Sequence, residues 1–191
     1  AFIHRMVQSL NLLPFLLDGN YTPIAIPARR QPDGSWQVLD AAALRTAGFP
    51  ETARRFQRID RAMRRAGLVK PLHEKVDERH KLSAQEFPPD RFLVVNGAGG
   101  GIVCAANFPV TGNEDLIIDQ TLYWQVAATE QEAWYRVGIM NSDALTEAIR
   151  PFVPSGRFGA RHLHTLPHRV IPAFDPENQG HVRIACLSHQ L

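Results

Sequence analysis

An α+β fold is what the sequence predicts, and three observations predict it. Strand-like and helical segments alternate without a regular βαβ rhythm, several helices bring their own caps and apolar stripes, and a glycine cluster at 96–101 separates two short apolar runs. The expectation is mixed small β-sheets and hairpins with packed helices, including an αα-hairpin toward the C-terminus. At 191 residues the chain can bury one core, so it is read as a single domain over 1–191, with a subdivision near residue 90 left open.

The elements follow in order. Residues 21–28 and 35–39 flank Gln31, Pro32, Asp33 and Gly34, turn formers that predict a hairpin. Residues 40–47 read as a short capped helix. Residues 51–67 form the clearest helix: Pro50 precedes it, Gly67 can close it, and Ala53, Phe56, Ile59, Met63 and Ala66 make its apolar stripe. A further helix is expected within 70–79. The runs at 92–95 and 102–106, parted by NGAGGG, predict a hairpin, and 116–126 adds one or two strands. Ala133, Val137 and Met140 recur at helical spacing, widened by Trp134 and Ile139, after a capping box of Thr129 and Glu132; this helix ends near Asn141. Ser142 can cap a second helix carrying Leu145 and Ile149, which Pro151 terminates. Cys104 and Cys186 sit in apolar runs and are expected to be buried free thiols in a reducing cytoplasm, although a disulfide stays open.

The net charge is only +2, but it is unevenly spread: residues 1–91 hold 15 Lys and Arg against 10 Asp and Glu, and residues 92–191 hold 6 against 9. The excess concentrates in ETARRFQRIDRAMRRAG, where Arg54, Arg58, Arg61 and Arg65 recur on one helical face. Such a face is either a phosphate rail or a solvated surface. A second basic element is the loop SGRFGARHLH. Gly156 and Gly159 permit close approach of a phosphate backbone, while Arg157 and Arg161 offer planar forks to phosphate or to a guanine edge. The plainer reading is a surface turn.

Other chemistries find little footing. No apolar run approaches about 18 residues, so no membrane span is expected. His162, His164 and His168 lack a nearby cysteine or carboxylate to complete a tetrahedral set, and no metal is assigned. No G-x-S-x-G elbow marks a nucleophile, so no catalytic residue is assigned. The NGAGGG run leads into another apolar run rather than a helix, which argues against a cofactor loop. Trp36, Trp124, Trp134 and Tyr135 lie within strand and helix patterns and read as core rather than as stacking platforms.

Glu132, Ala133, Tyr135, Asn141 and Ser142 are followed by Gly156, Gly159, Arg161, His162 and His164, and then by Pro172, Phe174 and Asp175. With LLPF at 12–15, KLSAQ at 81–85 and IIDQTLYW at 117–124, this ordered set resembles the C-terminal region of adenine-specific (N-6 type) DNA methyltransferases and related restriction-modification enzymes. The resemblance spans most of the chain. It implies a target-recognition domain that reads double-stranded DNA through Arg157, Arg161, His162 and His164, with Arg54, Arg58, Arg61 and Arg65 on phosphates. The family's N/D-P-P-Y/F tetrapeptide is missing, since Pro88-Pro89 follows Phe87 and precedes Asp90. The resemblance therefore implies a cytoplasmic, non-catalytic piece without its own cofactor. Its partner would be the methyltransferase domain of the same chain, where S-adenosylmethionine is expected. The opening at Ala1 rather than methionine fits the expectation of an excised segment. The competing expectation is a protein-interaction or scaffold module of a multi-subunit restriction-modification complex.

Overall fold

Local signals set most element boundaries, while long-range hydrogen bonds decide which strands pair. The protein is described here from a computed structural model covering residues 2–99, 102–152, 155–156, 159–160 and 170–191. Its α+β architecture consists of small sheets and hairpins with packed helices. The chain divides into two interleaved units. One comprises residues up to Met6 with Pro23–Pro88 and Glu114–Ile117; the other comprises Val7–Thr22, Pro89–Asn113 and the described residues from Ile118 onward.

In the first unit, β1 (Ile3–Val7), β4 (Thr22–Ala25) and β9 (Leu116–Ile118) form a sheet ordered β4-β1-β9. The expected hairpin forms only in part. Strand β5 (Ala28–Arg30) pairs with β6 (Trp36–Val38) in the register Ala28↔Val38, Arg29↔Gln37 and Arg30↔Trp36, whereas β4 joins β1. The reason lies at 26–27: the Ile26 N–H donates to the Phe2 carbonyl and Pro27 has no N–H, so residues 22–25 are free of the hairpin ladder. The Asp40 side chain caps α1 (Ala41–Thr46) through the Ala43 N–H, and α2 (Pro50–Arg65) begins with proline at its first position. Leu44, Ala53, Phe56, Leu39 and Phe2 form one buried cluster, and Ala28, Trp36, Leu82 and Ile117 form another. The helix expected over 70–79 is shorter, α3 (Leu72–Val76). Arg79 and His80 then adopt positive φ in a single turn at 78–80.

In the second unit, β7 (Phe92–Gly99) and β8 (Ile102–Pro109) make the glycine hairpin, longer than its apolar runs alone suggest. With β10 (Tyr123–Ala127) they form a sheet ordered β10-β7-β8. The short strands β2 (Leu12–Leu13) and β3 (Leu16–Leu17) pair with each other. The expected consecutive helices are present as α4 (Glu130–Met140) and α5 (Asp143–Ile149). Thr129 caps the first, and Ser142 the second. Val94, Val103 and Ala105 of the sheet bury against Ala133, Val137, Met140, Leu145 and Ile149.

The main helical partner of α4 is α6 (Gln179–His189). Gly138 permits this packing, because a Cβ there would lie 2.0 Å from Ser188 Oγ and 3.0 Å from Ile184 Cγ2. On α6, Cys186 is exposed, contrary to the expected burial, because the apolar run around it supplies a helix with one face on α4 and the other in solvent. Cys104 is half-buried in β8, and burial pushes its thiol upward; both cysteines are free.

Candidate nucleic-acid interface

Helix α2 carries six arginines against two carboxylates, Glu51 and Asp60. Ala53 and Phe56 are buried, and they fix the rotation of the helix. At 100° per residue, Arg54, Arg58, Arg61 and Arg65 fall within about 60° of arc on the side opposite Phe56, over about 16 Å of axis. All four are exposed. Only Arg54 is in an ion pair, with Glu51 at 2.8 Å. Among the described residues, Arg58, Arg61 and Arg65 meet no carboxylate.

The other acidic residue does not relieve this face. The Asp60 carboxylate accepts the main-chain N–H of Leu72, the first residue of α3, and so ties the two helices together. Like charges three and four apart each cost a few tenths of a kcal/mol in an isolated helix. A polyanion laid along the stripe would offset those repulsions.

The loop expected to read bases is described only in its glycine frame. Strands β11 (Ser155–Gly156) and β12 (Gly159–Ala160) pair antiparallel in the register Ser155↔Ala160 and Gly156↔Gly159. Arg157, Arg161, His162 and His164 lie outside the described residues, as does His168. The structure thus gathers the four α2 arginines on one face of the first unit, and the described part of the loop belongs to the second.

Residues that carry the family resemblance acquire structural roles in the second unit. The Tyr135 hydroxyl donates to the Pro172 carbonyl at 3.3 Å, and its ring packs on Phe174 and His181. The Asn141 amide makes a two-point match with Ala105 on the outer edge of β8: its Oδ1 accepts the Ala105 N–H at 2.9 Å, and its Nδ2 donates to the Ala105 carbonyl at 2.8 Å. Asn141 thereby imitates a neighbouring strand at this edge, where the Ala105 carbonyl also accepts the Phe15 N–H at 2.9 Å. Asn141→Ala removes both bonds and leaves an edge N–H unpaired. The expected cost is about 2 kcal/mol, read as a lower urea midpoint at unchanged slope.

Sequence reasoning missed Arg30. Its guanidinium lies between Trp36 and Phe87, with Cζ at 4.3 and 4.4 Å from the two ring centres. It donates to the carbonyls of Gly34 (2.6 Å), Gln85 (2.9 Å), Glu114 (2.8 Å) and Leu116 (3.2 Å). Burial pulls its pKa down to about 10, partly opposed by Asp115 and Glu114, so it stays charged at neutral pH. The sequence signal was the hairpin register, which sets this cation opposite Trp36.

His4 is buried beside the same tryptophan. Its Nε2 donates to the Ala28 carbonyl at 2.9 Å, and desolvation lowers its pKa. Arg5 forms a two-point pair with Asp115, whose carboxyl this hydrogen bonding holds below its ordinary range. Trp36 and Tyr135 are buried as expected, and Trp124 and Trp134 are half-buried.

Residues 96–99 of the glycine run are the end of β7 and pair with β8, so they do not form the strand-to-helix turn of a phosphate-binding cofactor loop. Among the described residues no helix is long and apolar enough to cross a membrane. No protein-family model matches the chain, and no curated protein matches it.

Proposed function

We infer that this chain is a sequence-specific DNA-recognition domain, non-catalytic by itself, that serves an adenine-specific DNA methyltransferase or restriction-modification enzyme. The observation that carries the reading is the α2 face, four exposed arginines in line with the helix's second carboxylate engaged elsewhere. Phosphate contacts fix register and orientation, and base-edge contacts specify sequence. Arg54, Arg58, Arg61 and Arg65 are assigned to phosphates. Arg157, Arg161, His162 and His164, on a loop framed by glycines, are assigned to base edges. The motif residues Tyr135, Asn141, Ser142, Pro172 and Phe174 support the same reading, because they hold the scaffold from which that loop emerges. Methyl transfer from S-adenosylmethionine to a flipped adenine belongs to a neighbouring domain of the same chain.

Duplex binding measured against salt tests the assignment. Arg58→Ala and Arg61→Ala are expected to weaken all sequences alike, each flattening the log–log salt slope by about 0.9. Arg157→Ala and Arg161→Ala are expected to relax sequence preference by about 1–3 kcal/mol each while leaving that slope largely in place. Binding that ignores all four substitutions overturns the reading.

A second reading, a protein-interaction module of a multi-subunit restriction-modification complex, is favoured by one observation: Leu10, Leu13 and Leu16 are exposed at 87%, 48% and 58%. Association with another subunit that is insensitive to salt, together with no affinity for duplex DNA, would favour it.

A further inference from the structure

The arginine stripe of α2 runs into a feature that charge alone does not explain. The next turn exposes two aliphatic side chains, Leu68 at 46% and Val69 at 90%. Gly67, at φ +82°, donates to the Arg64 carbonyl, and the Leu68 N–H donates to the Met63 carbonyl, both at 3.0 Å. These are the two bonds of a Schellman cap, which only a residue at ease with positive φ completes without strain. Two residues beyond Val69, Pro71 has a fixed φ, and Asp60 of α2 accepts the Leu72 N–H. The turn is therefore anchored to α2 on both sides, and its apolar tip is held ordered before anything binds. Arg64 and Arg65 precede the tip and Lys70 follows it.

Resting on the reading of α2 as a phosphate rail, we propose that Leu68 and Val69 form an apolar wedge that enters the minor groove of duplex DNA at a base step. Aliphatic side chains inserted there partly unstack the step and bend the duplex, so that more phosphate reaches the cations beside them. Pyrimidine–purine steps such as TA and CA/TG yield most readily and become the preferred sites. Charge complementarity selects the occupant. An apolar protein partner covering Val69 would also desolvate Arg64 and Arg65 without pairing them, whereas the duplex offers a groove edged with phosphates on both sides. A lipid surface fits less well, because the apolar face of α2 is already committed to the core through Ala53 and Phe56.

The test compares the whole chain with Leu68→Ser/Val69→Ser on a duplex carrying 2-aminopurine at a central TA step and a dye pair at its ends. The original chain is expected to raise 2-aminopurine fluorescence and shorten the end-to-end distance. The double variant is expected to lose both signals while keeping its salt slope within about one of the original. Val69→Ser alone carries the test if the double variant has a lowered urea midpoint. Unstacking and bending that survive the substitutions overturn the wedge and leave the rail standing. Absence of salt-dependent duplex binding by the original chain overturns rail and wedge together. Loss of binding to phosphatidylserine vesicles, with DNA deformation unchanged, would assign the tip to lipid and overturn the proposal.

Discussion

Replacing Arg30 with methionine is expected to cost the first unit about 2–3 kcal/mol, in the range seen when hydrogen bonds from a half-buried charged group are removed. Methionine keeps much of the length and none of the donors. Four carbonyls, from Gly34, Gln85, Glu114 and Leu116, then lose the group that joins them. Those carbonyls come from the hairpin turn, the segment before Phe87 and the approach to β9, so one side chain links three parts of the unit that are distant in sequence. Arg30→Lys is expected to recover only part of the loss. An ammonium keeps the charge over the Trp36 and Phe87 rings but has neither the planar stack nor five donors spread over a fixed fork. The measurement is the urea midpoint of each variant, with Trp124→Phe and Trp134→Phe in the background so that tryptophan fluorescence reports on Trp36. Equal midpoints for arginine, lysine and methionine would remove Arg30 from its role as the junction.

That junction marks where sequence reading stops. Helices α1, α2, α4 and α5 were legible because their signals are local: Asp40, Thr129 and Ser142 cap them, Pro50 begins α2, and apolar side chains return every three or four residues. The glycine hairpin was legible for the same reason. Arg30 was not, because its partners lie at 34, 36, 85, 87, 114 and 116, and no short window contains them. Strand β4 was assigned to the wrong partner because its neighbour β1 lies well before it in the chain, and the two share a sheet that β5 and β6 do not join. Burial of Cys186 failed because composition reveals an apolar run but not which face of the helix another helix will cover.

The candidate site was legible in the same uneven way. Arginines at helical spacing are visible to the eye, and the structure adds that Asp60 of the same helix accepts the Leu72 N–H. The ordered apolar tip at Leu68 and Val69 was hidden. It emerges from a helix cap and from a bond between Asp60 and the Leu72 N–H, not from anything apolar in its own pattern.

Gly34→Ala is expected to cost about 3–4 kcal/mol, by adding a collision to a conformational penalty. Gly34 adopts φ +86°, and a Cβ built there would stand 2.3 Å from the Phe87 carbonyl oxygen and 2.7 Å from its carbon. Both are main-chain atoms, so no rotamer change makes room. The neighbours are held as well: the Phe87 N–H donates to the Gly34 carbonyl at 3.2 Å, and the same carbonyl accepts from Arg30. Moving Phe87 away would also withdraw its ring from the guanidinium. Gly48 supplies the control, having the same φ of +86° but nothing within 4 Å of its added Cβ. Gly48→Ala should therefore cost only the conformational term, about 1 kcal/mol. The difference between the two midpoints isolates the approach of Phe87 to the hairpin turn. If both alanines lower stability equally, that approach does not constrain the fold, and the Arg30 junction has more freedom than its contacts imply.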